Sequence, residues 1–335
     1  MLIVKTCRSL ILSCGFLAFL VLPACTKGRH INDEGNLVPK TVVQDPSVPF
    51  ITVNGTRLHA ETFGNPANKM LVILHGGPGS DYRYLLNCKQ FADNGYYVVF
   101  YDQRGSGLSQ RHDKNSYTIE TMIDDLDAVI SHYRTSPSQK IFLLGHSWGA
   151  ILATSYINSH PSVIRGAVLG EPGGFKWNDI KDYISRARDF HFTSEALNDA
   201  AYQDQFITGS ENAHAILDYK LSLLSAADAA KDNPIGDAGL LPFWRYGAVV
   251  NKALFDLGEK IQPDWTKNLH LFTTKVLFAY SEKNRAYGLS HAQLVSSAYP
   301  NVQLVKINGS GHDFVSFSEG WTNFFPLALT YLNSL

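Results

Sequence analysis

The stretch KIFLLGHSWG, residues 140–149, decides the fold of this chain. Residues 141–144 form an apolar run typical of a buried strand, and a helical pattern follows at residues 151–157. A strand that turns sharply into a helix strains its corner residue, and the positions two residues away on either side need to be almost free of side chain. Glycines occupy both positions, so Ser147 is predicted to be a nucleophile on a strand-to-helix corner.

The alternation of strand and helix extends outward from this corner. From Phe50 onward, short β-branched or apolar runs alternate with helical patterns, which predicts an α/β fold with a mainly parallel central sheet and helices on both faces. The predicted strands are residues 57–63, 70–75, 96–101, 140–145, 164–170, 275–280 and 302–307. Apolar residues from Ile119 to Tyr133 recur at helical spacing behind Thr118, a suitable N-cap.

The alternation is interrupted between about Phe175 and about Lys275. The intervening residues are mostly helical in character and rich in Ala, Leu and Asp, which predicts an inserted helical cap at residues 175–268. The core is then formed by residues 49–174 and 269–335. Residues 26–48 are polar and show no periodicity, so residues 25–48 are interpreted as a tether.

Composition limits the classes of protein and partner. The chain has 335 residues, 45% of them hydrophobic, and its 29 Lys and Arg against 30 Asp and Glu give a net charge of -1. This composition is typical of a folded protein with a large core and excludes a disordered chain. A nucleic-acid partner is not expected, because no basic face or long basic run is present.

The first 25 residues resemble an export signal. Lys5 and Arg8 precede an apolar run at residues 10–22, which is too short to span a membrane comfortably. LPAC, residues 22–25, also resembles a bacterial lipobox, in which the cysteine becomes lipidated. We therefore expect a signal peptide at residues 1–24, lipidation of Cys25, and export to the bacterial cell envelope with a lipid anchor in the membrane. An ordinary cleaved signal is the alternative.

His312 is the predicted base for Ser147. It lies in GSGH, residues 309–312, just after the last predicted strand, and therefore on a loop at the carboxyl edge of the sheet where Ser147 also lies. Asp313, its neighbour in sequence, is expected to point elsewhere. No HExxH or CxxC pattern indicates a metal site, so neither metal nor cofactor is expected.

A glycine-rich loop, HGGPG at residues 75–79, follows a predicted strand. Its glycines let the backbone approach a substrate closely. A loop in this place normally donates one N–H of an oxyanion hole, and the residue after the nucleophile donates the other. Gly77 and Trp148 are therefore the predicted oxyanion-hole donors.

Three segments together resemble the α/β-hydrolase fold and, more narrowly, the proline iminopeptidase family within it. They are HGGPG at 75–79, DQRGSGLS at 102–109 and GHSWG at 145–149, of which Trp148 is the most telling residue. The resemblance covers residues from about 50 to about 330 and is weak across the predicted cap. It implies a serine hydrolase that makes an acyl-enzyme under a helical cap.

The chain departs from that family at the third member of the triad. Most members place an aspartate about three residues after a glycine beyond the seventh strand, whereas here Ser281 and Asn284 stand at those positions. An amide orients an imidazole but does not stabilise its positive charge. Glu171, after the sixth strand, is the preferred candidate, because some members of the fold place their acid there. Glu282 and Asn284 remain alternatives, and binding of a substrate amine is the rival role for Glu171.

Three functions are compatible with these motifs. The first is a hydrolase that releases N-terminal proline or another small residue from short peptides, and the second is an esterase or amidase acting on a small acyl compound. The third is a ligand-binding homologue without turnover, which only Asn284 supports. Dehalogenase and epoxide hydrolase chemistry is disfavoured, because each needs a carboxylate where Ser147 stands. The expected partners are thus a small molecule or short peptide as the substrate, and a membrane that the protein contacts through its lipid anchor.

Overall fold

The computed structural model describes residues 37–187, 211–227, 233–237 and 239–335, which are organised around one eight-stranded sheet. The strands are β1 (Phe50–Val53), β2 (Thr56–Phe63), β3 (Lys69–Leu74), β4 (Tyr96–Tyr101), β5 (Ile141–His146), β6 (Gly166–Gly170), β7 (Val276–Ser281) and β8 (Val302–Ile307). Their spatial order is β1-β2-β4-β3-β5-β6-β7-β8. The β1-β2 and β2-β4 pairs are antiparallel, and all the other neighbours are parallel.

Helices cover both faces of the sheet. The α-helices are α1 (Ile119–Tyr133), α2 (Trp148–Ser159), α3 (Trp177–Ala187), α4 (Glu211–Ala227), α5 (Ala248–Ile261), α6 (Gly288–Ser296) and α7 (Ser318–Asn333), with a 3-10 segment at Tyr82–Asn94. The predicted start of α1 is confirmed, because the Thr118 side chain accepts a hydrogen bond from the Thr121 N–H at 3.1 Å. None of the described helices has both the length and the apolar character needed to cross a membrane.

The core consists of two apolar clusters, one on each face of the sheet. Alternate residues of β3 point to opposite faces, so Met70 and Val72 pack with α1 and α2 while Leu71 and Ile73 pack with α7 and the 3-10 segment. Strands buried on both faces read as continuous apolar runs. This explains why β3, β4 and β5 stand out in the sequence as uninterrupted hydrophobic stretches.

The predicted fold class, α/β with a mainly parallel sheet and helices on both faces, is confirmed. One strand was not predicted, namely β1, which is a short antiparallel edge strand paired to β2. Between β6 and β7 the described residues contain α3, α4 and α5, which lie within the predicted cap.

The end of the predicted tether differs from expectation. Thr41 and Val42 are 0% exposed, and the Val42 N–H donates to the Leu108 carbonyl at 2.8 Å. Thr41 and Val42 are therefore packed against the core rather than free, since both are buried and a backbone hydrogen bond holds them. Cys25 and the predicted signal peptide lie outside the described residues.

Candidate active site

Ser147 occupies the corner between β5 and α2. Its backbone has φ 55° and ψ -123°, a conformation that side-chain-bearing residues rarely adopt, and its N–H donates to the Gly170 carbonyl on β6 at 2.7 Å. A Cβ at Gly145 would overlap the Gly149 carbonyl, and a Cβ at Gly149 would overlap the Leu74 carbonyl. Both glycines are therefore required for the strained turn that presents the Ser147 hydroxyl.

His312 and Glu171 are in direct contact. Nδ1 of His312 lies 2.8 Å from Oε2 of Glu171, whose side chain is 0% exposed. Glu171 directly follows β6 and has φ 42°, while His312 lies on the loop after β8. The carboxylate orients the imidazole and favours its positively charged form.

Ser281 and Asn284, which stand where the family that the sequence resembles usually has a glycine and an aspartate, both donate to Glu171. The Ser281 hydroxyl donates to Oε1 at 2.6 Å, and the Asn284 amide donates to Oε2 at 2.8 Å. The Ser281 N–H also donates to Oε1 at 2.5 Å. With His312, four donors surround this carboxylate, which satisfies its charge inside the protein and leaves no free face for a substrate amine.

Glu282, the other candidate acid, lies elsewhere. Its Oε1 pairs with Lys306 Nζ at 3.0 Å, and its Oε2 accepts the Gly309 N–H at 3.0 Å. Both partners of this salt bridge are about half exposed, at 45% each. The structure therefore brings together Ser147, His312 and Glu171 at the carboxyl edge of the sheet, and it places Glu282 on the surface.

The two predicted oxyanion donors flank the serine. Gly77 has φ 117°, which favours glycine, and a Cβ there would lie 2.7 Å from the Ser80 nitrogen. Trp148 is the first residue of α2, and the first N–H groups of a helix have no acceptor within the helix. Gly77 lines the same cavity as Ser147, and the assignment of the Gly77 and Trp148 N–H groups as oxyanion donors stays a prediction.

Gln103 ties the three motif segments together. Its side-chain carbonyl accepts the Trp148 indole N–H at 2.8 Å, and its side-chain amide donates to the His75 carbonyl at 2.9 Å. Its backbone N–H donates to His75 Nε2 at 3.0 Å. Gln103 therefore links the segment at 102–109 to Trp148, next to the serine, and to the glycine-rich loop.

A second network, which the sequence did not reveal, links the glycine-rich loop to the His312 loop. The Gly76 N–H donates to the Tyr84 hydroxyl at 2.7 Å, and this hydroxyl lies 2.9 Å from His146 Nδ1. His146 Nε2 donates to the His312 carbonyl at 2.8 Å. Burial and the nearby His312 charge lower the pKa of His146 to about 3, so its ring stays neutral and fits this pattern of donors.

Two carboxyl groups, those of Asp237 and Asp313, lie beside His312. The Asp313 N–H donates to Asp237 Oδ1 at 2.9 Å, and the His312 N–H donates to the Ile235 carbonyl at 2.9 Å. Burial raises the pKa of both acids; the charge of Asp313 raises the pKa of Asp237 further, and the charge of Glu171 raises that of Asp313 further. Asp313 does not point away from the site as expected, because its Oδ1 lies 3.9 Å from His146 Nε2 and its side chain lines the same cavity as His312.

The pKa of His312 reflects these surroundings. Burial lowers it, but the hydrogen bond to Glu171 and the charges of Asp313, Glu171 and Asp237 outweigh burial and raise it to about 9.

His146, Asp313 and His312 each bring one possible metal-binding atom within 4.8 Å of the others. Both ring nitrogens of His146 are already hydrogen-bonded, so this cluster is not suited to hold a metal.

A cavity of about 650 Å³ opens onto these groups. Ser147, His312, Gly77 and the acids Asp237 and Asp313 all line it. Further wall residues come from α4, from the loop that precedes α5 and from the N-terminal segment; they include Tyr219, Phe243, Trp244, Leu37, Val38 and Pro39. The volume is suited to a small organic molecule or a short peptide.

Known proteins with similar sequences are hydrolases. The family described as "Serine aminopeptidase, S33" matches residues 65–220. The proline iminopeptidase PfmaB of Pestalotiopsis fici is 25% identical over 79% of this chain and 92% of its own length. A proline iminopeptidase of Thermoplasma volcanium is 35% identical over 30% of this chain, and the match spans a third of that relative's length.

Solved structures agree on the fold. An esterase from Exiguobacterium antarcticum superimposes with a TM-score of 0.62 at 20% identity, covering 85% of this chain and 98% of that one. The protein is a serine hydrolase with the α/β-hydrolase fold. Two features of the hydrolase match this fold, namely the order of the strands in the sheet and the strand-to-helix corner at Ser147.

The raised pKa of His312 predicts the pH dependence of the hydrolase. The imidazole accepts a proton only when neutral, so kcat/KM on a neutral ester should rise with pH and level off above about 9. Asp313→Asn removes a negative charge facing the ring, while Glu171, Asp237, His146 and the Tyr183 hydroxyl, which lies 3.4 Å from Nδ1, remain around it. The rise should therefore move to lower pH. Glu282→Gln on the surface is the control, and an unchanged profile in Asp313→Asn would contradict the assignment of His312 as the base.

Proposed function

We propose that the hydrolase releases N-terminal proline or another small residue from short peptides. The observation that carries this proposal is the acidic pair Asp237 and Asp313, which lines the same cavity as Ser147 and His312. A peptide with a free N-terminus brings an ammonium group close to its first scissile bond. Carboxyl groups beside the nucleophile are placed to bind that ammonium.

The proposed reaction uses an acyl-serine intermediate. The Ser147 hydroxyl attacks the carbonyl carbon of the first residue while His312 accepts the hydroxyl proton, and the Gly77 and Trp148 N–H groups stabilise the oxyanion. His312 then gives the proton to the leaving amine, and the C–N bond breaks. Water, deprotonated by His312, cleaves the ester and regenerates the serine. Throughout these steps Glu171 holds Nδ1 of His312.

The acidic pair has a reason to bind a cation. Among the described residues, Asp237 Oδ2 is buried and has no hydrogen-bond donor. Two buried carboxyl groups this close repel each other when both are ionised, so they either share a proton or bind a positive ligand. An N-terminal ammonium supplies both the positive charge and the donors. Glu171 is already satisfied by protein donors, which favours Asp237 over it as the amine ligand.

The similarity to PfmaB also supports the aminopeptidase proposal, because that protein is named a proline iminopeptidase and the match covers most of both chains. The esterase and amidase alternative uses the same catalytic groups without an amine-binding site. The two functions therefore differ in one measurable property, which is the contribution of the substrate's free amine to kcat/KM.

Asp237→Asn should weaken turnover of substrates with a free amine. On L-proline p-nitroanilide we expect kcat/KM to fall by roughly thirtyfold or more, since losing one partner of a buried charge pair costs about 2 kcal/mol or more. N-acetyl-L-proline p-nitroanilide and p-nitrophenyl acetate lack the amine and, with each protein compared on the plateau of its own pH profile, should be turned over within about threefold of the wild-type rates. The measurement is kcat/KM for each substrate with each protein.

Glu259→Gln, an exposed acid on α5, is a suitable control for a general effect of lost charge. If the wild type prefers the acetylated anilide or the ester, and Asp237→Asn changes all substrates equally, the aminopeptidase proposal is wrong. That result would favour the esterase or amidase function.

We further propose that the hydrolase is exported and held at a bacterial membrane by a lipid on Cys25. The support is the order of charge, apolar run and lipobox in residues 1–25. Fractionation of bacteria that express the wild type should place the protein with the membranes, and Cys25→Ala should move it to the soluble fraction. Cys88→Ala, which changes a buried cysteine of the core, is the control. A soluble wild type with an unmodified Cys25 would exclude the lipid anchor.

A further inference from the structure

The N-terminal segment, defined here as residues 37–44, reaches the catalytic cavity. Leu37, Val38 and Pro39 line the same cavity as Ser147 and His312. The segment lies outside the β/α units that build the catalytic edge of the sheet. Its contribution to the cavity wall therefore requires separate interactions that hold it in place.

The segment is anchored to the core by its own backbone. Thr41 and Val42 are completely buried, and the Val42 N–H donates to the Leu108 carbonyl. A turn follows, in which the Gln44 N–H donates to the Thr41 carbonyl at 3.0 Å while the Gln44 side chain accepts the Thr41 N–H at 3.0 Å. These bonds fix the point from which residues 37–39 extend over the cavity.

A buried ionic network also holds the segment, at Pro39 and Gln44. Nη1 of Arg245 donates to the Pro39 carbonyl at 3.1 Å and to Gln44 Oε1 at 3.3 Å. Nε of Arg245 pairs with Asp218 on α4 at 2.7 Å, and Arg111 pairs with the same carboxylate at 3.0 Å. Burial raises the pKa of Asp218, but the two guanidinium groups outweigh it and lower the pKa.

This network connects three parts of the chain, of which α4 and the loop before α5 also line the cavity. Asp218 belongs to α4, Arg111 to the loop after β4, and Arg245 to the loop before α5. Removing one member of a buried ion pair leaves an uncompensated charge, which strongly destabilises the arrangement. The segment is thereby held by the same network that joins α4 to the core, and its position follows from buried charges rather than from loose surface contacts.

We infer that residues 37–39 form a fixed apolar wall that limits the size of the substrate group accepted beside Ser147. The wall has side chains suited to this role, because Leu37 is 50% exposed and Val38 is partly exposed, so neither is needed to fill the core. Shortening Val38 enlarges the cavity, and lengthening it fills the cavity. The inference rests on the proposed function in one respect, namely that Ser147 is the reacting group.

Two variants of Val38 with opposite effects on cavity volume test the wall. We expect Val38→Ala to raise the ratio of kcat/KM for p-nitrophenyl octanoate to that for p-nitrophenyl acetate by about tenfold, and Val38→Trp to lower it by about tenfold, since a pocket discriminates by about that factor per methylene or more. Val43, on the same segment, is 37% exposed and is not part of the cavity wall, so Val43→Ala and Val43→Trp are matched controls that should leave the ratio unchanged.

A second measurement does not depend on the choice of substrate. The ratio of the labelling rate of a long-chain alkyl fluorophosphonate to that of a small dialkyl fluorophosphate should rise in Val38→Ala and fall in Val38→Trp. The melting temperature of each variant shows that it is folded. If the wild type reacts with the probes and the size ratio is the same in all four variants, the inference that residues 37–39 limit substrate size is wrong, while the assignment of Ser147 stands. If the wild type reacts with neither ester nor probe, the assignment of Ser147 fails, and the wall inference fails with it.

Discussion

Ser147→Ala should abolish turnover, with a loss of about a millionfold in kcat, because losing the nucleophile of a serine hydrolase removes the acyl-enzyme route altogether. The fold should persist. Ser147 donates only its backbone N–H to the neighbouring strand, and alanine keeps that bond. Alanine also adds no bulk at position 147, and the positions of this corner that are too tight for a side chain, Gly145 and Gly149, are unchanged. The measurements are kcat on the best substrate found and the melting temperature of both proteins.

The companion variant is His312→Ala, which should cost nearly as much as the loss of Ser147. The double variant should be no worse than either single one, because nucleophile and base act as one unit and their losses do not add. Residual activity of Ser147→Ala above about a thousandth of wild type would show that another group is the nucleophile.

Glu171→Gln has the second largest expected effect. Replacing the acid of a catalytic triad by its amide lowers kcat about ten-thousandfold in serine proteases, because the amide does not stabilise the imidazolium and favours the wrong tautomer. The same logic applies to the 2.8 Å contact between Glu171 and His312 Nδ1. In addition, the new amide would face the donors on Ser281 and Asn284. The variant should lose activity on esters and on peptides to the same extent, and the measurement is kcat on both kinds of substrate.

Glu282→Gln is the matched control, since it removes the same charge from a residue that faces Lys306 and solvent. Its activity should stay within about threefold of wild type. A different pattern would move Glu171 out of the triad. If Glu171→Gln retained activity on neutral esters and lost it only on peptides with a free N-terminus, the side chain would serve the substrate amine instead.

Glu171 contacts Nδ1 of His312 as a triad acid would, although it follows β6 instead of β7. β6 and β7 are neighbours in the sheet, so a carboxylate at the end of either strand lies near the loop after β8. Ser281 and Asn284, at the usual sites, donate hydrogen bonds to this buried carboxylate. The departure from the family pattern at these two positions is thereby accounted for by one set of contacts.

The sequence by itself determined the features that depend on local sterics and periodicity. The strained corner at Ser147 follows from two glycines and a strand-to-helix pattern, and the parallel sheet follows from apolar runs that alternate with helical ones. The short edge strand β1 escaped prediction, because four residues with a mixed burial pattern carry little periodic signal.

Only the tertiary structure decided which groups meet at the catalytic edge. Glu171 and Glu282 are both acids at strand ends, and the sheet register and the paths of the following loops direct one to His312 and the other to solvent. The pairing of Asp237 with Asp313 and the path of residues 37–39 over the cavity likewise join parts of the chain far apart in sequence. Such contacts depend on long-range packing, and no local pattern of residues encodes them.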